Sequence, residues 1–229
     1  MTTISTDRRR SRRNILFALL SGGVLVAAGT SVTLASWSDE EWVFAGNGVG
    51  GPGVATETFE IQQNVSSPYV GTTSNWVDRE SNPGSSLTFG TGALKLSPGS
   101  TIYAPVGIRS TADSIAGKLV LAPAVASTGV TTTDDGTLWN AIGVRVAASE
   151  SSTTCDATSF AAPGSVVASG GLSSVAIASS AALDVSAASG NIWHFCFELT
   201  LPTSAVTGDG RALQGKTIAP AWKFSSTSV

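Results

Sequence analysis

His194 is the only histidine in this chain of 229 residues, and Cys155 and Cys196 are its only thiols. Histidine serves hydrolysis as a general base beside an activated serine, or as a ligand to zinc. Neither setting is present in the sequence. No GxSxG elbow offers a nucleophile, HExxH is absent, and a lone imidazole would need two carboxylates delivered by the fold to complete a zinc site. Flanked by Trp193 and Phe195, His194 reads as a structural residue of an apolar strand. Gly46-Asn47-Gly48-Val49-Gly50-Gly51 matches GxGxxG in letters. That motif binds a dinucleotide only where it opens a helix, and here Pro52-Gly53 follows. The paired acids Glu40-Glu41 and Asp134-Asp135 lie in an N-terminal stretch and before a glycine turn; calcium at the second pair lacks the Asp-x-Asp-x-Asp-Gly loop. The expectation is a protein with no enzymatic activity and no cofactor or metal.

What the cysteines do depends on the compartment, which the N-terminus addresses. Arg8-Arg9-Arg10-Ser11-Arg12-Arg13 precedes the uncharged residues 15–30, and small residues Thr33 and Ala35 follow. Basic, apolar, then small is the order of a secretory signal peptide, with cleavage expected between Ala35 and Ser36. The apolar stretch is shorter than the roughly 20 residues of a membrane span, so no span is expected in the mature chain. Ser11-Arg12-Arg13 also resembles a twin-arginine signal, which leaves the export route open. In an exported protein two cysteines most simply form one disulfide, Cys155 to Cys196; a two-cysteine metal site is the alternative.

Beyond Ala35 the chain carries eight basic and fifteen acidic side chains, a net charge of −7. Nothing in it forms a basic stripe, which argues against nucleic acid and anionic lipid as partners. Charged residues are only 13% of the whole, about half the usual share. The surface is therefore expected to be hydroxyl-rich and weakly charged.

Short runs of Val, Ile, Thr and aromatics alternate with Gly, Pro, Ser, Asn and Asp clusters, the pattern of an all-β domain. Strands are predicted at 55–61, 86–90, 93–96, 101–109, 117–122, 138–147, 165–168, 192–201 and 217–225. The clearest is 192–201, where Trp193, Phe195, Phe197, Leu199 and Leu201 share one face. His194, Cys196 and Glu198 share the other, where a loop carrying Cys155 can staple across. Pro220 marks the last strand as an edge or a bulge. Residues 174–189, rich in Ala and Ser, fit helix, strand or loop alike. The predicted architecture is a single antiparallel β-sandwich, jelly-roll-like, over residues 56–229.

Between signal and sandwich lies an arm, residues 36–55, with Trp37, Trp42, Val43 and Phe44 ahead of a glycine-rich hinge. These side chains are too apolar to stand alone in water. They either fold back as a first strand or fill a sheet edge of the next subunit, as in donor-strand exchange.

The run Thr33-Leu34-Ala35-Ser36-Trp37-Ser38-Asp39, then Phe44-Ala45-Gly46, resembles the start of proteins with SipW-type signal peptides. These are the TasA/camelysin biofilm-fibre proteins and the alternate signal-mediated exported proteins of Gram-positive bacteria. Leu96-Ser97-Pro98-Gly99, Cys196-Phe197-Glu198-Leu199-Thr200-Leu201-Pro202 and Trp222-Lys223-Phe224 are similar to further parts of that group. The resemblance implies a dedicated signal peptidase and a structural protein of the cell surface or biofilm matrix, polymerising with itself through its arm and joined by an accessory matrix protein. It also implies a camelysin-like protease, which the missing HExxH opposes. From another class, a monomeric secreted binding module for carbohydrate or surface adhesion would need Trp76, Trp139 or Trp222 exposed for stacking.

Overall fold

A computed structural model of the chain describes residues 41–43, 45, 48, 49, 51, 53–205 and 211–229. The chain divides into two units, Met1–Ala55 and Thr56–Val229. The second is all-β. Its strands are β1 (Ile61–Asn64), β2 (Thr101–Ser110), β3 (Gly117–Leu121), β4 (Val125–Ala126), β5 (Gly143–Ser149), β6 (Val166–Gly171), β7 (Leu183–Val185), β8 (Trp193–Thr200), β9 (Pro220–Ala221) and β10 (Phe224–Ser228). One five-residue helix, α1 (Thr137–Ala141), interrupts them.

Five strands form a sheet in the order β1-β2-β8-β5-β6, three form a second in the order β10-β3-β7, and β4 pairs with β9. All these pairings are antiparallel. β2 lies beside β8 in the large sheet, while β3 and β7, their chain neighbours, lie side by side in the small one. Two strand pairs that cross together from sheet to sheet are the wrap of a jelly roll.

The core lies between the sheets because alternate residues on each strand are apolar. β8 supplies Phe195, Phe197 and Leu199, β2 supplies Val106 and Ile108, and β5 supplies Val144 and Val146; Leu119, Leu121 and Val185 answer from the small sheet. Phe195 stacks 4.7 Å from Phe224, and Phe197 lies 4.8 Å from Trp222. Each such ring, fully buried, contributes about 2–3 kcal/mol by area. Gly117 opens β3 without a side chain because there is no room for one. A Cβ there would lie 2.5 Å from Phe59 Cζ and 2.8 Å from the Thr227 carbonyl.

Several sequence expectations need correction. Residues 55–61 make an isolated bridge at Thr58 and join a strand only at Ile61. Residues 91–95 wind into a 3-10 helix, and 86–90 form no ladder. The segment predicted as a strand from 138 begins as α1, because Asp134 caps it: Oδ1 accepts from Leu138 N–H and Oδ2 from Trp139 N–H, both at 2.9 Å. The last strand splits at Trp222 into β9 and β10, and Pro220 does sit in a two-residue pair. Residues 174–189 contain β7, and Val175, Ile177 and Val185 are buried.

Candidate functional site

The outer face of β8 presents His194, Cys196 and Glu198, as its alternation requires, and two loops cover them. Cys155, from the loop after β5, forms a disulfide with Cys196, with Cα atoms 5.1 Å apart. Asp156 follows and starts a 3-10 turn, accepting from Thr158 N–H at 2.8 Å. That turn delivers Phe160, whose ring lies 4.7 Å from the Arg145 guanidinium carbon and 6.0 Å from the Tyr103 ring. Arg145 and Glu198 are cross-strand partners. Their side chains pair in a fork, Nε to Oε1 at 2.6 Å and Nη2 to Oε2 at 2.8 Å. Burial, then the charge of Glu198 and a hydrogen bond to it, hold the Tyr103 phenol above its ordinary pKa. A carboxylate taken up by a guanidinium and a phenol is a clamp on three strands, not a free general base.

The second loop follows β1. Buried Asn64 organises it, accepting from Ser66 N–H at 3.0 Å and Ser66 Oγ at 2.7 Å and donating to Val70 O at 2.9 Å. Tyr69 is thereby set edge-on to His194, ring centroids 4.6 Å apart. Burial lowers the His194 pKa below its ordinary value. Trp76 is buried against Gly107, where a Cβ would come 3.0 Å from Cη2, and Arg109 lies over its ring at 4.2 Å. Among the described residues no three His, Cys, Asp or Glu side chains converge to hold a metal.

No family model matches this chain, and no curated protein matches it.

Of the arm residues, Trp42 and Val43 are 91% and 94% exposed. Trp37 and Phe44, and the cleavage residues Ala35 and Ser36, lie outside the described residues. The sheet edges of the second unit differ in how they are finished. On β7, the Asp184 carbonyl accepts from Trp193 Nε1 at 2.7 Å and Asn191 Nδ2 at 2.9 Å, which closes that edge. On β1, Gln63 and Val77 exchange backbone bonds at 2.9 Å. The half of β2 beyond β1, residues 101–105, has β8 on one side and no strand on the other among the described residues.

Of the tryptophans singled out for stacking, Trp76 is buried and Trp222 packs on Phe197. Trp139, half-buried, borders a cleft of about 210 Å³ with Val130, Thr132 and Ile218. Asp134 and Asp135 are occupied by α1 and by Lys216, whose Nζ lies 2.9 Å from Asp135 Oδ2. The Thr137 hydroxyl and Lys216 hold the Asp135 carboxyl well below the usual carboxylate range. The sequence reading missed the Arg145–Glu198 fork and the Tyr69–His194 contact. The only signal for the fork was cross-strand register, which appears once β5 is paired with β8; Tyr69 reaches His194 from the loop after β1, which register does not place.

Proposed function

We propose that the exported chain is a structural subunit of the cell surface or extracellular biofilm matrix. It polymerises by placing its N-terminal arm in a sheet edge of the next copy, and has no enzymatic activity of its own. The observation that carries this reading is Trp42 and Val43, 91% and 94% exposed in a chain whose sandwich has, among the described residues, a stretch of β2 edge with no partner strand. Large apolar side chains on an exposed segment mark an interaction surface. A strand added to an edge gains backbone hydrogen bonds for affinity and side-chain pockets for register. The contact is heterologous, so it propagates as an open filament.

Export is supported by the order of basic, apolar and small residues before Ser36 and fits the Cys155–Cys196 disulfide. Cleavage by a dedicated signal peptidase and an accessory matrix protein belong to this reading through the resemblance to the TasA/camelysin group.

Sedimentation and negative-stain microscopy of chains 36–229 and 57–229, side by side, test it. The longer chain should form filaments and the shorter remain monomeric. A longer chain that stays monomeric at high concentration and with seeds removes the proposal. Trp139 beside its cleft favours a second reading, a monomeric glycan-binding module. Glycan-array binding lost in Trp139→Ala, without polymerisation, would select it.

A further inference from the structure

Residues 127–134 follow β4 and are tied at both ends to residues 217–219. Ser127 N–H donates to Ala219 O at 2.8 Å, and Asp134 N–H donates to Thr217 O at 3.2 Å. Thr133 adds a third tie. Its N–H donates to Thr217 Oγ1 and its hydroxyl to Gly215 O, both at 3.0 Å. The longer stretch thus covers the span of a much shorter one, so the loop bows away and a hollow is left. This is the cleft of about 210 Å³ bordered by Val130, Thr132, Ile218 and Trp139. A loop fixed at both ends holds that opening without a ligand to brace it.

Three kinds of group line the hollow. Trp139 packs against the core, and its Nε1–H donates to Ser173 Oγ at 2.8 Å, so the indole is held in one orientation. Asp134 is held as firmly. Oδ1 accepts from Leu138 N–H and Oδ2 from Trp139 N–H, and each oxygen keeps a further acceptor site. Ser127 and Thr132 bring hydroxyls that make no hydrogen bond among the described residues. An apolar ligand would leave these groups unmet. A sugar ring meets all of them, with an apolar face for the indole and vicinal hydroxyls that donate to the two carboxylate oxygens. An acidic sugar would bring its charge to Asp134 in a chain of net charge −7 beyond Ala35, so the fitting class is neutral.

Resting on the glycan-binding reading above, we propose that this cleft is a subsite for one neutral pyranose of a saccharide chain. Trp139 is the stacking platform, and Asp134 is the acceptor for a pair of vicinal hydroxyls. Thr132 and Ser127 bond the hydroxyls that remain. The volume sets the limit of one ring, below the roughly 300 Å³ at which pockets for drug-sized ligands begin. One stacked ring with a few hydrogen bonds makes a weak site, with Kd on the order of 1 mM.

Calorimetric titration of chain 36–229 with neutral gluco-, manno- and galacto-oligosaccharides, and with oligogalacturonate, tests this. At least one neutral series should bind, and oligogalacturonate about tenfold more weakly or worse. Trp139→Ala and Asp134→Asn should each weaken binding by about tenfold or more. Asp135→Asn removes the same charge one residue away, outside the cleft, and should bind as the parent does. Asp134 also caps α1, so circular dichroism first checks that Asp134→Asn is folded. If it is not, Thr132→Val carries the test; that exposed side chain has no partner to lose, and its binding should weaken a few-fold. Binding lost in Trp139→Ala but unchanged in folded Asp134→Asn and in Thr132→Val would overturn the subsite and leave the glycan-binding reading standing. So would a preference for oligogalacturonate. Absence of binding to every glycan strikes that reading itself.

Discussion

His194 lies half-buried against Tyr69, and burial lowers its pKa. The unfolded chain therefore takes up that proton first as the pH falls below about 6.5. The native state loses stability over that step and regains it above. Asp135 and Asp156 are shifted down by hydrogen bonds from Thr137 and Thr158, so their loss comes at lower pH, where unfolded carboxylates protonate. Thermal midpoints at pH 7.5 and 5.5 should show a fall that His194→Gln lacks. Equal falls in both proteins would assign the step elsewhere. The two cross-strand ion pairs should behave differently from each other. Arg145→Met strands Glu198, which is 7% exposed, and should cost about 2 kcal/mol, below the range for a fully buried pair because Arg145 is itself partly solvated. Lys118 and Asp184 are both well exposed, so Lys118→Met should cost less than about 0.5 kcal/mol. Urea unfolding of the two variants gives the comparison.

At the scale of elements, the disulfide closes 41 residues of chain, worth about 4 kcal/mol in the chain-entropy model. Replacing both cysteines with serine should lower the midpoint of 57–229 by roughly 10 °C, with proteolysis in residues 150–165 preceding global unfolding. A midpoint that does not move would mean the loop is held by other contacts. The cysteine pairing was open to sequence reading because β8 alternates so regularly that Cys196 had to face away from Phe195 and Phe197. Residues 86–90 have the composition of a strand between turn residues, yet they form no ladder. Alternation reports which face a side chain takes, and Leu87 and Phe89 do face the core; it does not report whether a backbone finds a ladder. Residues 137–141 failed by composition, since Leu138 and Trp139 suit a strand, and the Asp134 carboxylate that caps them as a helix was read only as a turn former. Register is a property of two strands together, so the Arg145–Glu198 fork was not legible in either one.

For the whole molecule, Thr56–Val229 is a compact unit with its own core. Removing residues 1–56 should leave the thermal midpoint of the monomer within about 2 °C of that of chain 36–229, as read by circular dichroism. A larger drop would mean that the arm folds back on its own sandwich, the alternative left open by the sequence. The jelly-roll wrap was readable as a class from short strands and turn residues. Its strand order was not, because pairing β2 with β8 joins segments far apart in sequence.

Ile115 N–H donates to the Thr58 carbonyl at 3.0 Å, and the adjacent Ala116 carbonyl accepts from Val229 N–H at 3.2 Å. Phe59 and Thr227 meet over the bare Cα of Gly117. The folded body thus starts and finishes at one spot. A short linker joining Val229 to Thr56 would yield a circular permutant, with new ends cut in the exposed turn at Thr128-Gly129-Val130. A reporter fused after Val229 would crowd Thr58 and Phe59 at the start of the body. Pulling on Thr56 and Val229 would load β1 and β10 at neighbouring points on the Ile115-Ala116 corner, so tension would open the body at that corner first.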